Sequence, residues 1–151
     1  MDGPGRLILL KRFRLEAKVR TREIAYRREL SWEEYRRVRQ GYIPRSGSDK
    51  WLVVQRRGEL QFFRSGNGTF VYAVKFKHAG GGFVAERAVV NDDPGRLAPA
   101  PDHYERKLLD YLIDRLLLGH EIEFPAPPGV RGRKAALLEK IWMGSLDGWQ
   151  M

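Results

Sequence analysis

The chain contains no cysteine, which excludes disulfide staples, thiolate nucleophiles and thiolate-bound metals together and fits a reducing compartment. A cytoplasmic location is therefore expected. Histidine is scarce as well: His78, His103 and His120 stand far apart with no ligand-like spacing, so each reads as a surface or loop residue, and no metal or cofactor is expected. Long hydrophobic runs are missing. The apolar stretch Leu7 to Leu10 is broken by Lys11 and is too short for a signal-peptide core or a membrane span.

What the chain has in excess is positive charge. Lys and Arg number 28 against 19 Asp and Glu, a net +9. Residues 1 to 40 hold twelve Lys/Arg and six Asp/Glu, so an excess of +6 sits at the front. Such a field favours anionic partners, nucleic acid or an acidic protein; it speaks to association and not to chemistry. The hydrophobic fraction, 42% of 151 residues, fills one core, whereas two domains of half that size would each be marginal. A single domain spanning 1–151 is the expectation.

Periodicity supplies the elements. In a basic N-terminal strand region, 6–29, Leu7, Leu9, Phe13, Leu15, Ala17 and Val19 alternate with Arg12, Arg14, Glu16, Lys18, Arg20 and Arg22, the pattern of a half-buried strand. Ile24 and Tyr26 shift parity, which places a bulge or turn near Thr21; a helix through Leu15 to Tyr26 competes. Ser31-Trp32-Glu33-Glu34 has the form of a capping box and starts a helix over 31–41, with Trp32, Tyr35 and Val38 inward and Gly41 at its end. Across 50–91, four apolar runs (Trp51 to Val54, Leu60 to Phe63, Phe70 to Phe76, Phe83 to Val90) are separated by Gly-containing turns, which predicts an antiparallel meander of at least four strands. Asp102 and Glu105 read as a capping pair opening a leucine-rich helix over 102–119. A short strand at Glu121 to Phe124 and a C-terminal helix over 133–144 complete an α+β domain with two to three helices packed on the sheet.

Asp49-Lys50-Trp51, Gly58, Leu60, Phe62, Arg64-Ser65, Gly68 and Tyr72, followed by Val90-Asn91-Asp92 and Leu108 to Gly119, have a recognisable order and spacing. They resemble a family of small uncharacterised bacterial proteins with an Asp-Lys-Trp strand, an Arg-Ser-x-x-Gly turn and a Leu-rich helix. The likeness spans roughly residues 31 to 124. It implies a fold and a bacterial source, and carries over no catalytic residue. In the relatives the turn holds Trp-Thr where this chain has Gly66-Asn67.

Six residues form the candidate anion-binding set: Arg12, Arg14, Lys18, Arg45, Lys50 and Arg64. The first three share one side of the predicted strand, where a row of cations either meets a phosphate backbone or stays a solvated face. Arg64-Ser65-Gly66-Asn67-Gly68 either cradles an anion on backbone N–H groups or is a hairpin turn needing positive φ. Lys50 and Trp51, with Arg45 just before, offer cation-plus-stacking recognition of a base, set against plain core packing of the indole. Asn91-Asp92-Asp93 beside Pro94-Gly95 reads as a turn and not as a metal site. Trp142, Leu146 and Trp149 would supply an apolar tail patch to an accessory subunit. The functional expectation is a non-enzymatic binding domain for an anionic partner. The alternative is an enzyme acting on a phosphorylated or nucleotide substrate beside the Arg64 turn. In that direction, Leu15-Glu16-Ala17-Lys18 is similar to the charged opening strand of triphosphate tunnel enzymes, with Arg14 where their Glu-x-Glu-x-Lys motif has its first glutamate.

Overall fold

In a computed structural model, which describes residues 19–93 and 100–144, the even-numbered positions of β1 (Thr21–Ser31) turn inward and bury Ile24, Tyr26 and Leu30. The expected turn near Thr21 gives way to continuous strand, which also excludes helix from Thr21 onward; the irregularity lies further along, as a bulge between Ala25 and Arg28. Leu7 to Lys18, with Arg12 and Arg14, fall outside the described residues.

Ser31 ends β1 and caps α1 (Trp32–Val38): its Oγ accepts from the Glu34 N–H at 3.1 Å while the Glu34 carboxylate accepts from the Ser31 N–H at 2.9 Å. Val38 is buried and Tyr35 half-buried. Trp32, expected on the inner face, is 51% exposed, because it lies at the first position of the helix and rests edge-on against Phe83 beside His78. Gly41, at φ +71°, turns the chain out as expected.

The meander follows: β2 (Trp51–Arg56), β3 (Glu59–Arg64), β4 (Phe70–Val74), β5 (Lys77–Ala79) and β6 (Gly82–Asn91). The six strands form one antiparallel sheet in the order β1-β6-β4-β3-β2, with β5 paired to β6 as a further branch. β6 is long enough to serve three partners, β1 along its length, β5 at its start and β4 near its end. Alternation along the strands splits the apolar residues between two faces. Trp51, Val53, Leu60, Phe62, Tyr72, Val74, Ala88 and Val90 join the helices in the main core, while Leu52, Val54 and Phe63 form a second cluster with Ile43 and Phe70.

The main core is closed by α2 (Asp102–Tyr111), which continues as a wider π-helical segment, Leu112–Leu117, with Leu118 N–H donating to Ile113 O at 3.0 Å. Leu108, Leu109, Leu112, Ile113, Leu116 and Leu117 are all buried; each such leucine contributes about 1.5–3 kcal/mol over its exposed state. Asp102 and Glu105 do not cap this helix: the N-cap is Pro101, which has no side-chain acceptor, and Glu105 turns to the core. Asp102 instead accepts from Arg22 Nε at 3.2 Å. The π-helical segment is tied back to β1 by polar groups. Tyr26 donates to Asp110 at 2.5 Å, and the Arg28 guanidinium donates to Asp110 at 3.2 Å and to Asp114 at 2.6 and 3.1 Å.

Glu121 to Phe124 forms no strand; the chain runs irregularly through Pro125 and Pro127, which cannot donate to a ladder, into α3 (Gly132–Met143). Only Met143 of this helix is buried. The helix is held at its C-terminal end, where Gly144 bridges to Asp49 with no room for a side chain: a Cβ there would lie 1.8 Å from the Ser48 carbonyl oxygen. Among the described residues no helix is long and apolar enough to cross a membrane.

Candidate functional site

Of the predicted anion-binding residues, Arg12, Arg14 and Lys18 lie outside the described residues. The backbone brings the segments carrying the other three together. Arg45 N–H donates to the Asp49 carboxylate at 3.0 Å, and Ser65 donates through Oγ to Asp49 O and through N–H to Lys50 O. Arg45 is exposed and Lys50 half-buried.

Arg64 is turned the other way. Its guanidinium donates to the carbonyls of Trp142 at 2.9 Å and Ile141 at 3.3 Å, and sits over the rings of Trp51 and Trp142 at 4.8 and 5.3 Å. The last carbonyls of a helix carry partial negative charge and have no partner in the helix itself, so a cation there completes the α3 C-terminus. Burial lowers the Arg64 guanidinium to about 10. Trp51, fully buried, donates its Nε1–H to the same Trp142 carbonyl at 2.8 Å, so this indole is a core residue. The rest of the Arg64 turn is internally bonded: Gly68 N–H donates to Arg64 O, and Thr69 N–H to the Asn67 side chain. Asn91 likewise accepts from Asp93 N–H at 2.8 Å and donates to Phe70 O at 2.7 Å, the bonding of a turn. Among the described residues no three His, Asp or Glu are placed to hold a metal.

The sheet, α2, α3 and the chain between the two helices enclose a cavity of about 380 Å³. Its lining is mainly apolar, with Val71, Leu108, Phe124, Leu138 and Ile141 among the wall residues; of the polar members besides Tyr72, Glu105 and Trp142, Asn91 donates to Phe70 O and Tyr104 to Pro125 O. Arg22 also lines it, and each of its three guanidinium nitrogens already donates one hydrogen bond, to Asp102, Asp92 and the Ala100 carbonyl.

One donor in this lining is unsatisfied: the Trp142 Nε1–H is buried without a hydrogen-bond partner, whereas the Tyr72 hydroxyl has the Glu105 carboxyl as its acceptor. A buried donor left unpaired costs about 1–3 kcal/mol. Tyr72 is fully buried; burial, and then the charge of Glu105 and the hydrogen bond to it, push its phenol well above the ordinary value. Glu105 is 8% exposed, and burial raises its carboxyl above the ordinary 4.5 despite the neighbouring Arg22 and Tyr72.

Sequence reasoning passed over this set. Glu105 was visible in principle, since it shares a helical stripe with Leu108, Leu109 and Leu112. Trp142 was read only as part of an apolar tail patch with Leu146 and Trp149, which lie outside the described residues, and it packs half-buried against Trp51; nothing local tells a satisfied ring from an unsatisfied one. Comparison with protein-family models, with curated proteins and with solved structures finds no match to this chain.

Proposed function

We propose that the domain is a non-enzymatic binding module for an anionic partner, nucleic acid or an acidic protein. The observation that carries this reading is the division of labour among its cations. Those that pair inside the molecule, Arg22 and Arg28, join β1 to distant segments. Other cations of the described residues lie on the surface. Arg37, Arg39, Arg45, Arg57, Lys75 and Lys77 are exposed and form no ion pair among the described residues.

The start of α3 adds to these exposed cations. Arg131, Arg133 and Lys134 are exposed around its first turn, which contains no acidic residue and no side-chain cap. Cations at that end oppose the helix dipole and cost the fold about 0.3–1 kcal/mol each. An anionic partner would reverse the sign of that term.

Binding through fixed cations releases counterions, so it weakens steeply with salt. Fluorescence anisotropy with a labelled DNA duplex and with labelled polyglutamate, at about 50 and about 200 mM salt, tests the reading. At least one probe should bind at the lower concentration and lose affinity at the higher. Charge reversal in the triple variant R131E/R133E/K134E should weaken that binding further while leaving the circular dichroism spectrum unchanged. Absence of binding to both probes at the lower salt concentration refutes the reading.

A further inference from the structure

We propose that the cavity between the sheet and helices α2 and α3 is a binding site for a small uncharged molecule with an apolar body and a hydrogen-bond acceptor such as a carbonyl oxygen. This site is separate from the basic surface, and the inference does not rest on the anionic-partner reading.

Size and lining set the ligand class. A volume of about 380 Å³ falls in the lower part of the range of small-molecule sites, about 300–1,000 Å³. The walls are apolar, and two of them, Leu138 and Ile141, remain 36% and 56% exposed on α3, so the apolar lining continues to the surface. An apolar cavity alone would accept any hydrocarbon. A buried donor narrows the choice: the Trp142 indole N–H lies unpartnered in a lining residue, and a ligand acceptor that reaches it would remove that penalty.

Charge on the ligand is disfavoured in both senses. An anion would meet the Glu105 carboxyl, and Arg22, the nearest cation in the lining, has its guanidinium already bonded to Asp92, Asp102 and Ala100. A cation would find Glu105 but would leave the Trp142 N–H without an acceptor. A neutral molecule avoids both conflicts, and the elevated carboxyl of Glu105 is consistent with a site that tolerates little charge.

Two probes of matched shape test the proposal on the intact chain: 2-acetylnaphthalene, which carries the acceptor, and 2-ethylnaphthalene, which lacks it. Affinity is read by calorimetry and location by the Trp142 indole N–H resonance, assigned with Trp142→Phe. The ketone should bind roughly tenfold more tightly than the hydrocarbon, and both should move the Trp142 resonance. Trp142→Phe, which removes that N–H, should bring the ketone down to the hydrocarbon's affinity and leave the hydrocarbon unchanged. Leu138→Trp, at a partly exposed position where folding is not at stake, should fill the opening and abolish both. Failure of both probes to bind up to their solubility limits overturns the proposal. So does equal affinity of the two probes for the unmodified chain, or an equal loss of both in Trp142→Phe.

Discussion

Replacing Arg28 with Met should cost the domain about 3 kcal/mol. The side chain is only 17% exposed and donates three hydrogen bonds, one to Asp110 at 3.2 Å and two to Asp114 at 2.6 and 3.1 Å. Breaking a fully buried ion pair by removing one partner costs about 3–5 kcal/mol, because the other charge is left uncompensated. Here the stranded carboxylates keep some water, with Asp110 47% and Asp114 22% exposed, so the cost belongs at the bottom of that range. Methionine keeps much of the stem's apolar contact, which isolates the polar loss. The assay is equilibrium urea unfolding. With a slope of about 2 kcal/mol/M, a loss of about 3 kcal/mol moves the midpoint down by about 1.5 M. Arg28→Lys retains the charge but not the two-pronged geometry and should fall between. The Arg28→Met and Asp114→Asn double-mutant cycle should return a coupling above about 1 kcal/mol. A midpoint shift under about 0.3 M, or a coupling indistinguishable from zero, would refute the view that this network anchors the π-helical segment to β1.

Two further perturbations probe the cavity and the sheet. Burial raises Glu105 above its ordinary 4.5, so the folded chain holds a proton that the unfolded chain has lost. Stability therefore falls as pH climbs from that value through the raised one, then levels off. Glu105→Gln should match the unmodified chain below about pH 4 and exceed it at neutral pH, by about 1.4 kcal/mol for each unit of the shift; equal melting temperatures at pH 7 would contradict this. At the β5–β6 turn, a Cβ on Gly82 would lie 2.3 Å from the Leu30 carbonyl oxygen, where β1 and β6 pair, whereas Gly81 has open space around it. Gly82→Ala should lower the melting temperature by several degrees and Gly81→Ala should leave it within about a degree; similar losses in the two would show that the close approach of the strands is not what excludes a side chain.

Much of the architecture was legible because it follows from local rules. The capping box at Ser31 and Glu34 formed as its spacing required, since both partners lie within one turn. The Gly-punctuated runs from Trp51 to Asn91 became sequential antiparallel strands, because two-residue alternation and tight turns leave few other arrangements. Where expectation failed, a distant residue had intervened. Asp102 was available as a cap but lies within reach of Arg22, eighty positions away, and Glu105 is drawn into the core beside Tyr72. Trp32 shares a helix face with Tyr35 and Val38, yet the first position of α1 overhangs the sheet and stays half in water.

The sequence by itself determined the fold class, the order of the strands within the meander and the position of the leucine-rich helix, because apolar periodicity and turn chemistry act over a few residues. Only the tertiary structure decided what the polar side chains do. Arg64, read as an anion ligand, caps the end of α3 and stacks on two tryptophans brought from 13 positions before it and 78 after. Tyr72, Glu105 and Trp142 become a set only when strand β4 and helices α2 and α3 close around one cavity. Whether a buried donor finds its partner depends on atoms far apart in the chain, and local pattern does not encode that.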